Sequence, residues 1–211
     1  MAAPGKTPFS GRIISIQPRI KLTRSFDQRS HTYLGYLLLV RGAVGSAERD
    51  VRVAIGPAAQ AAHGLRAGDS VRGWAVPVPE PQNGMAELHK VSGLQVCERG
   101  ASAGASGPPW HDVPPPLPIY RERGHRRLDA KTYERACTTC MWGCRMPVAM
   151  IIDQWRPEVM RYRDETFCYG PRSCSVYRAG PRRRVPGRNG MTWVEDDEVD
   201  DDDVRHRAPD E

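Results

Sequence analysis

Five of the six cysteines of this chain lie close together in its second half. Cys137 and Cys140 are separated by two residues, a spacing that lets a tight turn direct both sulfurs and the nearby backbone amides toward one ion. A second pair, Cys168 and Cys174, follows later in the chain and completes a set of four ligands. We therefore predict a metal site formed by these four cysteines, with Cys144 as an alternate ligand.

Zinc is the metal that we predict for this site. Four thiolates around Zn²⁺ fill the tetrahedron and leave no open position for water, so the site would be structural and not catalytic. An iron–sulfur cluster is the alternative, because Cys137, Cys140 and Cys144 with one later sulfur would also supply four thiolates. A cysteine cluster without metal is a third interpretation. We expect the remaining cysteine, Cys97, to be a small buried apolar residue.

The residues between the two cysteine pairs indicate a β-hairpin. The apolar stretch 146–153 and the stretch 159–168 predict two strands, and the proline-containing stretch 154–158 predicts the turn between them. A cysteine knuckle, a hairpin and a second sulfur pair together resemble a zinc ribbon. Ribbons usually close with another two-residue spacing, whereas five residues separate Cys168 from Cys174.

The first half of the chain contains alternating hydrophobic patterns that predict five strands and one helix. A proline at the first helical position and a glycine just past the end mark the helix. The predicted strands are 11–22, 33–40, 51–55, 70–77 and 87–97, the helix is 56–64, a polar loop covers 23–32, and a hairpin turn lies at Asn83-Gly84.

This element order, with a glycine–aspartate turn before the fourth strand, resembles an OB fold over residues 10–98. Another small five-stranded barrel is the main rival. The resemblance implies a barrel that binds oligonucleotides or oligosaccharides on strands two and three and on the first and fourth inter-strand loops. Cations there would neutralise phosphates while aromatic rings stack on bases; alternatively, the rings are core residues and the arginines solvated surface. The candidates at or beside these places are Lys21, Arg24, Phe26, Arg29, Tyr33, Arg52 and Trp74.

The net charge of +6 is spread unevenly along the chain. Residues 195–211 contain ten acidic and two basic residues, a charge of −8, so residues 1–194 carry +14. A basic body with an acidic tail is typical of a polyanion binder whose tail can compete for the same surface, and a disordered, solubilising tail is the alternative. A basic loop supplies further candidates for phosphate binding, which are Arg182, Arg183, Arg184 and Arg188.

We expect a mostly β protein made of two domains. Residues 10–98 would form the five-stranded OB-like barrel, and residues 119–194 a small Cys-rich, zinc-ribbon-like β-hairpin domain that binds the metal. A Gly/Ser/Pro-rich linker at 99–118 would join them, and an acidic, disordered tail would follow at 195–211. The chain shows no secretory signal pattern and no apolar run long enough to span a bilayer, so we expect a cytoplasmic protein with reduced thiols.

The sequence favours a single-stranded nucleic-acid-binding protein with a structural zinc site, without separating DNA from RNA. It contains no P-loop, Gly-x-Gly-x-x-Gly turn or His-Glu-x-x-His motif, which argues against an enzyme but leaves room for dispersed catalytic groups. The alternatives are an iron–sulfur redox protein or enzyme, and a protein-interaction adaptor in a larger complex. The stretches 137–147, 169–171 and 185–188 also resemble an uncharacterised prokaryotic family that would span most of the chain and that implies no activity.

Overall fold

A computed structural model describes residues 5–25, 29–79, 85–101 and 107–194 of the chain. Within them, the first half folds into five strands and one helix in the order that the alternating pattern predicts, and the protein is mostly β. These elements are β1 (Thr7–Arg24), β2 (Arg29–Val44), β3 (Ala47–Ile55), α1 (Pro57–His63), β4 (Ser70–Pro77) and β5 (Leu88–Glu98).

The five strands close into a ring. Strand β1 pairs antiparallel with both β2 and β4, β2 pairs with β3, and β4 pairs with β5. A parallel contact between Val53 of β3 and Leu88 of β5 completes the circuit. Apolar side chains fill the interior, where Ile16, Leu38 and Val53 are buried, because alternate residues of a strand point to the same face.

Two glycines let β1 and β2 approach each other closely. Gly11 pairs with Gly42, and a Cβ on Gly11 would lie 2.3 Å from the carbonyl oxygen of Arg41. The φ angle of Gly11, +154°, is also one that side-chain-bearing residues rarely adopt. A β-bulge between Ile13 and Ser15 bends β1 further. The bend allows this one strand to serve several neighbours.

Helix α1 connects β3 to β4 and confirms the predicted helix. Pro57 occupies the start of the helix, and Gly64 ends it in a left-handed conformation with its N–H donating to the Gln60 carbonyl at 2.8 Å. The turn after it depends on Asp69, whose buried carboxylate accepts hydrogen bonds from the Gly100 N–H at 2.9 Å and from Arg99 at 3.0 Å. These bonds hold the chain leaving β5 against the ring.

The second half adds short helices and two hairpins. Its elements are α2 (Leu117–Arg123), β6 (Arg126–Arg127), α3 (Ala130–Thr132), a π-helical turn (Tyr133–Cys137), β7 (Gly143–Ile151), β8 (Met160–Cys168), β9 (Arg184–Pro186), a 3₁₀ turn (Arg188–Gly190) and β10 (Thr192–Val194). Strands β7 and β8 form the predicted hairpin between the two cysteine pairs. Strands β9 and β10 form a second, separate hairpin.

The cysteine-bearing hairpin extends the sheet of the ring. Strand β7 pairs in parallel with the end of β1, where Leu22 lies opposite Val148, and β8 and β6 follow outward in one eight-stranded sheet. The two halves also share one hydrophobic core, to which the second half contributes Tyr120, Met146 and Phe167. A separate cysteine-rich hairpin domain is therefore not what the structure displays, and the linker boundary at 99–118 stays a prediction.

The strands of the first hairpin are longer than the sequence pattern indicates. Most of the predicted polar loop at 23–32 belongs to strands, because β1 continues to Arg24 and β2 begins at Arg29, with these two residues opposite each other. Polar residues fit there because paired backbones satisfy their own hydrogen bonds whichever side chains they carry.

Three features of the sequence lie outside the described residues: the candidate Phe26, the turn at Asn83-Gly84 and the acidic tail at 195–211. In the part of the chain that is described, no helix has the length and apolar character needed to cross a membrane.

Replacing Gly11 by alanine should destabilise the fold. The new Cβ would collide with backbone atoms of Arg41 and Gly42 and would hold a strained φ. We expect the free energy of unfolding to fall by about 2–4 kcal/mol, measured by urea denaturation. Gly5→Ala is the matched control, because nothing lies within 4 Å of its Cβ position. Equal stability of the two variants would contradict the close approach of β1 and β2.

Candidate metal centre

The first cysteine pair lies in a tight turn that follows a capped helix. The carboxylate of Asp129 accepts a hydrogen bond from the Thr132 N–H at 2.8 Å and so begins α3. The π-helical turn then leads into Cys137. Past it, the Cys140 N–H donates to the Cys137 carbonyl at 3.2 Å, and the Gly143 N–H donates to the Cys140 carbonyl at 3.0 Å. These bonds close the turn that the two-residue spacing predicts.

Gln17 of β1 anchors this turn to the ring. Its side-chain nitrogen donates to the carbonyls of Cys137 and Cys140, both at 2.9 Å, and its oxygen accepts a hydrogen bond from the Tyr133 hydroxyl at 2.7 Å. Gly143 is required beside it, since a Cβ there would lie 2.5 Å from the Cys137 carbonyl oxygen. The sequence pattern did not indicate this role of Gln17, because Gln17 occupies one of the alternate positions of β1 that polar residues fill.

Backbone amides surround the Cys140 sulfur. Burial raises the pKa of the Cys140 thiol to about 11, although N–H groups of Trp142, Trp110 and Gly143 act in the opposite direction by hydrogen bonding to the sulfur. Amides directed at a sulfur stabilise the thiolate, which is the form that binds metal. The turn of Cys137 and Cys140, which we call the knuckle, thus supplies the hydrogen-bond donors that a thiolate ligand needs.

Arg126 shapes the loop that carries the second pair. Its guanidinium donates to the carbonyls of Pro171 at 2.8 Å, Gly170 at 3.3 Å and Arg172 at 3.3 Å. It also lies 3.8 Å from the Cys168 sulfur, to which the Gly170 N–H donates at 3.4 Å. Strand β6 places Arg126 directly opposite Cys168 of β8. The role of Arg126 in holding this loop becomes visible only in the folded chain, where β6 pairs with β8.

Three of the four predicted ligands, Cys137, Cys140 and Cys168, belong to one buried cluster, and Cys174 is half-buried in the loop after β8. Burial raises the pKa of Cys137 to about 12, and the negative charges of Cys140, Cys168 and Cys174 act in the same direction. Burial likewise raises the pKa of Cys168, which the guanidinium of Arg126 lowers and the charge of Cys174 raises. Thiolates gathered this closely repel one another, and a divalent cation would relieve that repulsion.

Cys144 and Cys97 lie elsewhere. Cys144 belongs to the main core, where its sulfur donates to the Pro18 carbonyl at 3.2 Å and burial raises its pKa to about 12. Because Cys144 lies in the main core, its position favours Cys137, Cys140, Cys168 and Cys174 as the ligands. The expectation for Cys97 was wrong: it is exposed near the end of β5, because its side chain points away from the ring interior.

The metal itself stays a prediction. Among the described residues, no group of three or more His, Cys, Asp or Glu side chains has an arrangement that could hold a metal ion. The chemistry of the neighbourhood nevertheless fits a thiolate-bound ion, because amide donors point at Cys140 and Cys168 and a guanidinium lies beside Cys168. Cys137, Cys140, Cys168 and Cys174 are the residues that would hold it.

The candidates around the β1–β2 hairpin are mostly occupied within the protein. Arg24 is buried, and Lys21 and Arg29 are half-buried. The guanidinium of Arg121 lies over the Tyr33 ring, 5.0 Å from its centre. These contacts give this end of the hairpin a packing role between the two halves.

Two candidates of the ring line open clefts. Arg52 is exposed beside a small cleft of about 90 Å³ where the ring meets the π-helical turn, with Tyr133 and Arg145 on the opposite wall. Trp74, half of whose surface is exposed, lines a larger cleft of about 440 Å³ together with Arg72. The turn of Cys137 and Cys140 thus lies over part of the surface formed by β1, β2 and β3, whereas Trp74 lines a separate cleft.

The basic loop lies against the β7–β8 hairpin. Arg182, Arg184 and Arg188 are exposed, and Arg183 is half-buried. Arg188 lies 3.9 Å from the carboxylate of Asp153, and the carbonyl of Arg184 accepts a hydrogen bond from Arg163. The loop is therefore fixed to the hairpin while most of its guanidinium groups face solvent.

Comparison of the chain with protein-family models, with curated proteins and with solved structures finds no match. The resemblances to an OB fold, to a zinc ribbon and to a prokaryotic family stay predictions.

Replacing Gln17 by alanine should loosen the knuckle. The change would leave two carbonyls and the Tyr133 hydroxyl in a buried place without their partner. We expect the free energy of unfolding to fall by about 2–4 kcal/mol in denaturant titrations. Gln95→Ala is the matched control: this exposed glutamine accepts a hydrogen bond from Arg72 at the surface, so the loss of stability should stay within about 0.5 kcal/mol. Similar midpoints for both variants would rule out the anchoring role.

Proposed function

We propose that the protein binds single-stranded DNA or RNA and that a structural zinc ion holds its second half against the ring. The observation that carries the proposal is the exposed Trp74 with cations beside it on a five-stranded ring. The strand order of the ring, with a helix between β3 and β4 and a parallel contact between β3 and β5, supports the resemblance to an OB fold. Such barrels commonly bind oligonucleotides.

Trp74 has the surroundings of a base-stacking residue. Arg72 lies two residues away on the same strand face, and its Nε donates to Gln95 at 2.9 Å. On the other side, Ser92 is paired with Trp74 across the strands and accepts a hydrogen bond from the Lys6 ammonium at 3.0 Å. An indole with a cation on either side can stack on a base while the cations neutralise the adjoining phosphates.

The overall charge supports a polyanionic ligand. Residues 1–194 carry a net charge of +14, and the exposed arginines lie on both the ring and the basic loop. Binding of this kind releases counterions from the nucleic acid, so its affinity falls steeply as salt rises.

Zinc would have a structural role in this proposal. Held by Cys137, Cys140, Cys168 and Cys174, it would neutralise part of their charge and join the turn after α3 to the loop after β8. Through Gln17, that junction also holds the second half on β1. The ion would have no open coordination position and would take no part in catalysis.

An apolar groove favours the protein-interaction adaptor as a second candidate function. The groove has a volume of about 500 Å³ and lies between α1 and the proline-rich segment before α2. It is fixed by the Tyr36 hydroxyl, which donates to the Pro115 carbonyl at 2.7 Å. This candidate would be favoured if the chain captures one defined protein, keeps it after nuclease treatment and loses it when Ala61 is replaced by glutamate.

Trp74→Ala should weaken binding of a labelled single-stranded oligonucleotide at low salt. We expect a loss of about tenfold in affinity by fluorescence anisotropy, since one base–aromatic stack is worth about 1–3 kcal/mol. Trp74→Phe is the matched control and should retain most of the affinity because it keeps an aromatic face. Arg72→Gln should reduce the slope of log K against log salt by about 0.7. Absence of oligonucleotide binding by the unaltered protein would refute the proposal.

Anaerobically purified protein should contain one zinc ion per chain by elemental analysis. Cys137→Ser and Cys168→Ser should each lower the zinc content, because each removes a thiolate from a set of four. Cys97→Ser is the control and should keep full occupancy, since Cys97 is exposed near the end of β5. Iron with acid-labile sulfide and a visible absorption band would instead establish the iron–sulfur alternative.

A further inference from the structure

The tip of the β7–β8 hairpin presents an unusually exposed tryptophan. Trp155 has 83% of its surface exposed, more than Trp74 at 50%, whereas the other three tryptophans are partly buried. Trp193 shows the contrast, because its ring packs directly over Gly187 in the β9–β10 hairpin. A single exposed tryptophan is ordinary on a protein surface, and the groups around Trp155 decide whether it can hold a ligand.

One buried carboxylate organises the residues around Trp155. The side chain of Asp153 accepts a hydrogen bond from the Trp155 N–H at 3.0 Å and lies 3.4 Å from Nε of Arg156. Nε of Arg188, from the neighbouring hairpin, lies 3.9 Å from the same carboxylate. Asp153 thus fixes the backbone of the tryptophan and holds one guanidinium from each of two hairpins beside it.

The charge of this surface is positive. Two guanidinium groups share the single carboxylate of Asp153, and five further arginines lie on β8 and the basic loop: Arg161, Arg163, Arg182, Arg183 and Arg184. Of these, Arg163 is paired with the buried Glu165, and Glu158 and Asp164 are the exposed acidic residues of the same hairpin. The arginines outnumber the acids, so the surface complements a polyanion.

We propose that Trp155, with Arg156 and Arg188 beside it, is a second stacking site for single-stranded nucleic acid. The indole stacks on one base, and the two guanidinium groups contact the adjoining phosphates. This inference rests on the proposed function and adds Trp155 and Arg156 to Arg188, which the sequence analysis already assigns to phosphate binding.

The topology places the two stacking sites at opposite ends of β1. Trp74 lies opposite Pro8 at the start of that strand, whereas β7, which leads to Trp155, pairs with Leu22 to Arg24 at its end. A strand of nucleic acid that fills one site must therefore run along the protein to reach the other. A long oligonucleotide can occupy both sites at once, and a short one can occupy only one of them.

A membrane surface is the other class of partner that combines tryptophan and arginine. The hairpin tip offers Trp155 and Val159 as its exposed apolar side chains, and Glu158 lies between them in sequence. A stable interfacial anchor needs a broader apolar face than this. The observations therefore favour nucleic acid.

The test compares Trp155→Ala with the unaltered full-length chain in anisotropy titrations of a labelled oligonucleotide of about 30 nucleotides, longer than the site of a single OB fold. We expect about a tenfold loss of affinity, the fold-change of one lost base stack. Trp155→Phe should retain most of the affinity, and Val113→Ala, a change at an exposed apolar residue before α2, should retain all of it. Thermal unfolding of the Trp155 variants should be unchanged, since the side chain is almost fully exposed.

Three further measurements complete the test. Arg156→Gln should reduce the salt slope by about 0.7, as expected for one lost phosphate contact. A strand of about 6 nucleotides should bind with a stoichiometry of two, falling to one in Trp155→Ala. If Trp155→Ala binds as tightly as the unaltered chain while Trp74→Ala binds weakly, the second stacking site is refuted and the proposed function stands. If the unaltered chain binds no oligonucleotide but binds anionic vesicles through Trp155, both proposals fail and the hairpin is a membrane contact.

Discussion

The structure depends on one strand that serves three neighbours. Strand β1 pairs with β2 along nearly its whole length, with β4 at its start and with β7 at its end. The bulge after Ile13 and the close approach at Gly11 allow the bend that these pairings need. The ring closes through the first part of β1, and the cysteine-bearing hairpin attaches through the last part. A change in this strand therefore reaches both halves of the protein.

The thiol cluster is tied to the same strand. Gln17 offers its amide nitrogen to two carbonyls of the knuckle and accepts the Tyr133 hydroxyl, so a polar residue of β1 is buried with its hydrogen bonds satisfied. The opposite side of the cluster is held by Arg126, which binds three carbonyls of the loop after β8. Thiols that the sequence keeps far apart are thus brought together by anchors outside the cysteine motif.

Local patterns predict the elements of this fold well. Alternation identifies the five strands of the ring, and the proline and glycine around α1 mark both ends of that helix. The spacing of Cys137 and Cys140 predicts the tight turn, because a turn depends on few neighbouring residues. Strand ends were predicted less well: β1 and β2 continue through a polar stretch, since backbone pairing tolerates polar side chains that a hydrophobic pattern does not detect.

Contacts between distant residues could not be predicted in the same way. Nothing in the alternation of β1 distinguishes Gln17 from the other polar residues at alternate positions of the strand, and nothing in Arg126 indicates the loop that it organises. The pairing of β7 with β1 has the same origin: any buried apolar strand could occupy that edge, and the choice depends on the whole sheet. The position of Arg121 over the ring of Tyr33, a predicted nucleic-acid contact, is another meeting of distant residues that the sequence pattern does not indicate.

These constraints also explain where a ligand can reach the protein. An OB fold presents strands two and three to its ligand, but here the knuckle lies over part of that face and leaves a cleft of about 90 Å³. The large exposed aromatic rings with adjacent cations, Trp74 and Trp155, lie instead toward the two ends of β1. Gln17, in the middle of β1, joins the turn of Cys137 and Cys140 to the same strand. In the proposed function, a zinc ion at the thiol cluster would hold the two stacking sites at a constant distance along one nucleic-acid strand.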